Sequence, residues 1–212
     1  MKRTLIVIAL IAALIAPVWA QTSGETPDGF EWSTTRDGSG IIIDYYSGTA
    51  TAVRIPDRIN NLPVVRIGIG IFAALRATLT SVVMPNTVTE LAERAFENCY
   101  ALTSVTISSS LTTIGYGTFM GCTALTSITL PSRVTTIGQH AFNGCTALTT
   151  VSLPASITNI ENQAFQNCTA LTTVTIPASV TRITFTNNSA FRGVTNLNAV
   201  SVATLQRVGY VF

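Results

Sequence analysis

The stretch from Leu102 to Ala124 reads LTSVTISSSLTTIGYGTFMGCTA, and the chain repeats it with small changes on both sides. Residues 125–147 read LTSITLPSRVTTIGQHAFNGCTA, and residues 148–170 read LTTVSLPASITNIENQAFQNCTA. One step upstream, residues 79–101 read LTSVVMPNTVTELAERAFENCYA. A fixed period of 23 residues indicates a solenoid, in which each repeat forms one coil and contacts only its neighbours.

Each repeat opens with apolar residues that alternate with hydroxyl residues. Counted from the leading Leu, positions 1, 4 and 6 are apolar, and positions 2, 3 and 5 are Thr or Ser in most copies. This pattern predicts a short strand with one buried face. Proline at position 7 of most copies has no amide hydrogen and should end that strand.

The second half of the repeat predicts another strand and a turn. Positions 10 and 13 are apolar with Thr between them, which is typical of a second short strand. The Ala-Phe-x-x-Cys that follows predicts one helical turn with Phe and Cys on one buried face. Stacking at the strand spacing of about 4.8 Å would then place the phenylalanines in one column. They are Phe96, Phe119, Phe142, Phe165 and Phe191.

The register of these copies resembles the BspA-type leucine-rich repeats, also called the Treponema pallidum type, with a consensus close to LTSITIPxSVTxIGxxAFxGC. The resemblance covers residues 40–202 approximately. It implies a β-rich, right-handed leucine-rich-repeat solenoid of parallel strands and short helical turns, with about six coils of 23 residues. It also implies an exported or surface-exposed bacterial protein, because members are typically of that kind and some bind host proteins or other cells.

Residues 1–20, MKRTLIVIALIAALIAPVWA, predict a cleaved secretory signal peptide. Lys2 and Arg3 give a basic start, an uncharged apolar core follows, and small residues end the segment at Ala20. An uncleaved membrane anchor is the alternative, but the core is shorter than the ~20 residues of a membrane span and Pro17 interrupts it. We therefore expect a secreted, cell-surface or periplasmic protein whose membrane contact is limited to the signal peptide.

The rest of the chain divides into a cap and a solenoid. Residues 21–52 are predicted to form a flexible start over 21–40 and then an N-terminal cap strand. Residues 53–212 are predicted to form the solenoid and a short C-terminal cap. In the last repeat, three extra residues predict a bulged loop over 185–188, and apolar residues over 197–202 predict a final strand.

The charge balance points away from nucleic acids and anionic lipids as partners. The chain has 12 basic and 10 acidic residues, and two of the basic ones, Lys2 and Arg3, leave with the signal peptide. The mature chain therefore carries ten charges of each sign, a formal net charge near zero. A nucleic-acid or anionic-membrane surface would need an excess of basic residues.

Four cysteines, Cys99, Cys122, Cys145 and Cys168, recur at the repeat period. Disulfide bonds are possible in an exported chain. In-register side chains on a buried turn point the same way, however, so we expect free thiols that pack as small apolar groups. A line of cysteines without histidine partners does not predict a metal site.

His140 is the one histidine, and it stands where other repeats have Arg94, Gly117 and Gln163. Such variation at one position predicts an exposed side chain without a catalytic role. No Ser-His-Asp set, carboxylate pair or glycine-rich phosphate loop is present in the sequence. The sequence thus predicts a protein that is not an enzyme and needs no cofactor or metal.

The outward positions 2, 3 and 5 of four successive repeats form a grid of hydroxyl groups that we call the first-strand face. Simple solubility with good strand propensity accounts for such residues, but solenoids also use extended concave surfaces of this kind for binding. We predict it as the binding surface. Its residues are Thr103, Ser104, Thr106, Thr126, Ser127, Thr129, Thr149, Thr150, Ser152, Thr172, Thr173 and Thr175.

Three functions are compatible with these features. The leading hypothesis is an adhesin-like recognition protein that binds a protein or glycan partner on its concave face. The alternative is a structural spacer or self-assembling surface module without a specific ligand. A remote alternative is an ice-binding array of hydroxyl groups, which would require a flat surface.

The signal-peptide prediction is tested by intact-mass analysis of the exported protein. We expect a mature chain that starts at Gln21, because the small residues at 18 and 20 match a signal-peptidase site. Material that retains Met1 in a membrane fraction would contradict cleavage.

Overall fold

The computed structural model describes residues 22–187 and 189–212, so the predicted signal peptide and the expected mature start at Gln21 lie outside it. Within the described ranges the chain forms a solenoid of six coils between a cap of strands and a helix. Coil one spans residues 52–78, coil two 79–101, coil three 102–124, coil four 125–147, coil five 148–170 and coil six 171–194. The strands are β1 (Ser23–Glu25), β2 (Phe30–Thr34), β3 (Ile41–Tyr46), β4 (Ala52–Arg54), β5 (Arg58–Ile59), β6 (Leu62–Ile67), β7 (Ser81–Val83), β8 (Glu90–Leu91), β9 (Ser104–Thr106), β10 (Thr113–Ile114), β11 (Ser127–Thr129), β12 (Thr136–Ile137), β13 (Thr150–Ser152), β14 (Asn159–Ile160), β15 (Thr173–Thr175) and β16 (Thr184–Phe185); the helix is α1 (Ala199–Arg207), and a 3-10 turn spans Ala73–Leu75.

Two sets of parallel strands run along the solenoid, as the alternating pattern predicted. The first strands of the coils pair in the order β4–β7–β9 and β11–β13–β15, with residues at equivalent repeat positions opposite each other. The second strands pair as β6–β8 and as β10–β12–β14–β16. The apolar side chain in the middle of each first strand points into the core and is buried, except that of Val105.

Both sets of strands are interrupted beside coil three, residues 102–124. In the described residues β9 does not pair with β11, and β8 does not pair with β10. Coil three is therefore joined to the upstream coil by its first strand and to the downstream coil by its second strand. This coil also has Ser108 where the others have proline. The buried Ser108 hydroxyl donates to the carbonyl of Val88 in the preceding coil.

Main-chain hydrogen bonds between turns continue past both interruptions and form what we call the turn ladder. From coil three to coil four, the amides of Gly117, Phe119 and Gly121 donate to the carbonyls of Gln139, Ala141 and Asn143 at 2.8–2.9 Å. Equivalent bonds join coil two to coil three, coil four to coil five, and coil five to coil six. The turn ladder is thus continuous where the strand pairing is not.

The Ala-Phe-x-x-Cys segment is a series of hydrogen-bonded turns and not the helical turn that the sequence predicted. The amide of each cysteine donates to the carbonyl of the phenylalanine three residues earlier, at 3.2–3.3 Å. The residue before the cysteine has a positive φ, from 58° to 74°, which ends any helix at that point. Asn or Gly stands there in every repeat that has the cysteine, because these residues adopt that conformation at least cost.

The predicted column of phenylalanines is confirmed. Ring centroids of successive coils lie 5.1–5.5 Å apart from Phe72 to Phe191, and the rings are stacked. Tyr46 continues the column upstream at 5.6 Å, and Tyr210 closes it downstream at 5.2 Å. Deleting one such buried ring typically costs about 3–5 kcal/mol.

The N-terminal cap is ordered from residue 22 onward, whereas the sequence suggested a flexible start. Strands β1, β2 and β3 form an antiparallel sheet, and β3 pairs in parallel with β6 of coil one. Phe30 and Trp32 of β2 are buried, which explains why the segment folds against the solenoid. The cap thereby covers the second-strand side of coil one.

The C-terminal segment differs from the prediction in two places. Residues 199–207 form helix α1 instead of a strand, because Asn198 accepts a hydrogen bond from the amide of Ser201 and caps the helix. Phe185, which we expected in a loop, pairs with Ile160 in β16 and packs edge-on against Tyr210. Among the described residues, no helix is long and apolar enough to cross a membrane.

Two glycines at the same repeat position provide a test of the interrupted stacking. A Cβ atom on Gly138 would lie 2.9–3.1 Å from main-chain atoms of coil three, whereas one on Gly115 would meet nothing closer than 3.7 Å. Gly138→Ala should therefore destabilise the protein by about 1–3 kcal/mol. Gly115→Ala should be neutral or stabilise it by about 0.4–1 kcal/mol, since alanine restricts the unfolded chain.

Denaturant unfolding of both variants measures this difference. The two substitutions are chemically identical, so each serves as the control for the other. Equal losses in both variants would mean that coil three is stacked as closely on coil two as coil four is on coil three.

Candidate functional site

The structure places ten of the twelve residues of the first-strand face in solvent. Thr150 and Thr173 are half-buried, and the other ten are exposed. The intervening apolar side chains point into the core because successive strand residues face opposite sides. The grid predicted from the repeat therefore exists as a surface without a single charged residue among its members.

Part of this grid stabilises the solenoid. The hydroxyls of Thr103, Thr149 and Thr172 each donate to the main-chain carbonyl at the same position of the preceding coil, at 3.0–3.3 Å. The hydroxyl of Thr175 donates to that of Ser152 at 3.0 Å. These five side chains have a structural use, so a ligand would compete with existing bonds for them.

A cleft opens in the first-strand face where β9 and β11 fail to pair. Thr126 makes neither the main-chain nor the hydroxyl bond to the carbonyl of Thr103 that its equivalents make in the other coils. The cleft has a volume of about 350 Å³. It is lined by Ser104, Val105, Thr106, Ile107, Ser109, Ser127, Thr129 and Pro131.

The chemistry of the cleft combines a small apolar floor with hydroxyl walls. Val105 and Ile107 supply the floor, and Val105 is the one central first-strand residue that is only half-buried. Thr106 and Thr129 stand on the two sides, both exposed. Such a site can accept an uncharged group that has an apolar side and hydrogen-bonding edges. Its lining residues include no acidic or basic side chain and no activated nucleophile.

Helix α1 marks the downstream boundary of the first-strand face. The hydroxyl of Ser201 accepts a hydrogen bond from the amide of Val174 at 2.9 Å, and Asn198 contacts Thr173 through its side-chain amide at 3.2 Å. Thr173 is therefore partly covered. The structure brings Ser104, Thr106, Ser127 and Thr129 together around the cleft, but it does not bring the Thr172–Thr175 end to the same place.

His140 lies on the turns, outside the first-strand face. It is half-buried, whereas the sequence predicted an exposed side chain. Its Nδ1 accepts a bond from Asn143 at 2.9 Å, and its ring meets Tyr116 edge-on at 5.6 Å. The four residues at this position in coils two to five have φ between 56° and 58°. The position varies because the left-handed main chain, and not a particular side chain, is what the turn requires.

The four cysteines are free and buried in a single row. The thiols of Cys122, Cys145 and Cys168 donate to phenylalanine carbonyls in the neighbouring coil at 3.1–3.2 Å. Burial raises the pKa of the Cys99 and Cys168 thiols to about 12, and burial together with the adjacent thiols raises the pKa of Cys145. These groups therefore stay protonated and do not act as nucleophiles.

No cluster of three or more His, Cys, Asp or Glu side chains among residues 22–187 and 189–212 is arranged to hold a metal ion.

The cleft was the feature that sequence reasoning missed. Its one signal in the sequence is the serine run 108–110 in place of the usual proline turn.

The sequence pattern of the BspA type leucine rich repeat region matches residues 65–198 in six copies. None of the curated proteins compared with the chain is detectably similar to it.

Solved structures share the fold. A leucine-rich repeat protein of T. pallidum is 27% identical, with a TM-score of 0.70 over 88% of this chain and 97% of that one. A leucine-rich cell surface protein of Faecalibacterium prausnitzii is 29% identical, with a TM-score of 0.65 over 84% of this chain and 44% of that one. A leucine-rich repeat protein of Eubacterium ventriosum, 23% identical with a TM-score of 0.60 over 79% of this chain and 51% of that one, shows the fold alone.

The raised thiol pKa values predict both reactivity and pH dependence. At about pH 8 an alkylating reagent should modify none of the four cysteines in the folded protein and all four in denaturant, because only the thiolate reacts. Above about pH 9 the unfolded chain loses thiol protons that the folded chain keeps. The free energy of unfolding should then fall by about 1.4 kcal/mol per pH unit for each thiol.

Mass spectrometry counts the alkylated sites, and denaturant melts between pH 7 and 11, roughly, give the slope. Cys145→Ala serves as the control, since removal of one of the four thiols should lower the total slope by about a quarter. Two disulfide bonds per chain, or rapid native alkylation, would contradict the buried thiol row.

Proposed function

The chain belongs to the BspA-type leucine-rich repeat family, and from that premise we propose that it is an exported or cell-surface recognition protein. We infer that a protein or glycan partner binds on the first-strand face, centred on the cleft between coils three and four. Solenoids of this kind present extended surfaces for binding, and their repeats bury the remaining residues for stability.

The observation that carries the proposal is the interruption between β9 and β11. Elsewhere on the first-strand face, each coil places its hydroxyl groups beside those of the preceding coil in a regular grid. At the interruption the same face gains depth, a volume of about 350 Å³ and an apolar floor. Concave sites with a few placed polar groups are where ligands bind preferentially.

The surface location rests on two supports. The Faecalibacterium prausnitzii relative is a leucine-rich cell surface protein, and this chain begins with the predicted signal peptide. This chain covers 44% of that longer relative, so we extend only the location and not its other properties.

A second candidate function is self-assembly through the C-terminal end. Val200 on the outer side of α1 is 75% exposed, and Phe212 at the end of the chain is 57% exposed. Such exposed apolar groups suit contact between copies. Measurement of the size of the mature protein in solution distinguishes a monomeric binding protein from an assembly unit. The ice-binding alternative loses support, because the cleft breaks the regular hydroxyl lattice.

Glutamates at the cleft should abolish partner binding without unfolding the protein. Thr106 and Thr129 are exposed, and their hydroxyls make no hydrogen bond within the described part of the chain. In the double variant Thr106→Glu/Thr129→Glu we expect a change in stability within about 0.5 kcal/mol per site. Binding to whichever immobilised matrix protein or glycan captures the unmodified chain should be lost, since two charges enter an uncharged site.

The matched control is Thr112→Glu/Thr146→Glu, which adds the same charge at exposed threonines outside the first-strand face. It should bind as well as the unmodified protein. Melting curves and partner titrations are measured on both double variants. Normal binding by a folded Thr106→Glu/Thr129→Glu protein would remove the cleft and its surroundings as the binding site.

A further inference from the structure

Strand β4 is the upstream edge of the first-strand sheet. In the described residues its one pairing partner is β7. The carbonyl of Thr51 accepts bonds from coil two, and the amide of Ile55 donates to the carbonyl of Val83 at 3.0 Å. Because successive strand residues alternate in direction, the amides and carbonyls of Ala52 and Arg54 point the opposite way, toward the open edge.

An open cavity of about 550 Å³ runs along this edge. Its second wall is formed by the cap, through residues 27–30 and 46–50. The cap covers the second-strand side of coil one through β3 and β6, but it supplies no strand beside β4. The cavity therefore occupies the place where the first strand of a preceding coil would lie.

The opposite end of the same sheet is covered. There α1 packs against β15, the amide of Asn198 donates to the carbonyl of Thr172, and the amide of Val174 donates to Ser201. The two ends thus differ. At the downstream end Asn198 and Ser201 bond to main-chain groups of the sheet, and at the upstream end no described residue bonds to the outward main-chain groups of Ala52 and Arg54. Unpaired strand edges readily accept an added strand.

Charge decides what kind of strand fits. Residues 22–50 contain five acidic residues and one basic residue, a formal charge of −4. Glu25 and Asp28, both exposed, line the cavity, and Arg54 is the one basic side chain among its lining residues. A second copy of this chain in cap-to-cap contact would bring an equally acidic cap against the first, which like charges disfavour. The opposite end of a second copy presents α1 and not an open strand.

We propose that the cavity beside β4 binds an extended, basic peptide segment of a partner protein, which adds a strand to the first-strand sheet. The peptide main chain pairs with Ala52 and Arg54, whose groups repeat every two residues at about 6.6–6.8 Å. A basic side chain of the peptide reaches Glu25 or Asp28. This site is separate from the cleft, because the strands of coils two and three lie between them.

The test uses two fluorescein-labelled octapeptides, one alternating Val and Lys and one alternating Val and Glu. Fluorescence anisotropy with the secreted full chain should show binding of the Val-Lys peptide and at least about tenfold weaker binding of the Val-Glu peptide. Ala52→Pro removes an amide that the folded chain does not use and places a ring in the cavity. It should weaken binding of the Val-Lys peptide by about tenfold or more.

The carboxylates are tested separately. Glu25→Gln and Asp28→Asn should each weaken binding by about two- to fivefold, the range of an exposed ion pair. Asp44→Asn is the matched control, since Asp44 is an exposed acid of the cap outside this cavity, and its affinity should match that of the unmodified chain. Thr106→Glu/Thr129→Glu should also bind the peptide normally, which separates this site from the proposed function.

A direct reading comes from amide hydrogen exchange in the unmodified chain. The amides of Ala52 and Arg54 should exchange more slowly when the Val-Lys peptide is bound. The proposal is overturned if neither peptide binds, if both bind equally, or if Ala52→Pro binds as well as the unmodified chain. Unchanged exchange at Ala52 and Arg54 in the complex would overturn it as well, whether or not the proline variant folds.

Discussion

From coil two onward, hydrogen bonds between successive turns, which lie over a column of stacked phenylalanines, hold each coil to the next. A single coil has too little interior to bury its own apolar side, so its stability comes from its neighbours. The rings lie 5.1–5.5 Å apart from Phe72 to Phe191, and three of the four cysteine thiols bond to carbonyls of the same column. The strand pairing can therefore be interrupted twice beside coil three while the coils stay stacked on one another. Variation of the first-strand face is tolerated for the same reason.

The hydroxyl groups of that face illustrate how one residue type serves two purposes. Threonine at the second repeat position donates to the carbonyl of the preceding coil in coils three, five and six and strengthens stacking there. Threonine at the fifth position, such as Thr106 or Thr129, makes no such bond and is available to a partner. A cluster of threonines therefore does not identify a binding site by itself. The two kinds of threonine differ in whether the hydroxyl reaches a main-chain carbonyl of the preceding coil. That depends on how the coils stack and not on the residue type.

Most of the fold could be predicted from the sequence because the repeat imposes one register on strands, phenylalanines and cysteines together. The failures are local. Apolar and polar residues alternate around Val200 as in a strand, but the side chain of Asn198 caps the segment as a helix. The turns were predicted as helical although Asn or Gly before each cysteine signals a left-handed residue. The cleft could not be predicted, because it arises where β9 and β11 do not pair, and the repeat pattern of both strands predicts pairing. Ser108 in place of proline was the one signal of a difference in coil three.

The interruptions on either side of coil three have a mechanical consequence. A solenoid transmits tension from coil to coil, and it yields first at the junction with the fewest cross-links. The junctions of coil three with its neighbours each retain the turn ladder and only one of the two strand pairings. They lie between the cap and first two coils on one side and the last three coils and α1 on the other. We expect both junctions to yield before the junctions among coils four to six, which keep the turn ladder and both strand pairings. In the proposed role at the cell surface, tension from a bound partner would therefore extend coil three before the last three coils unfold.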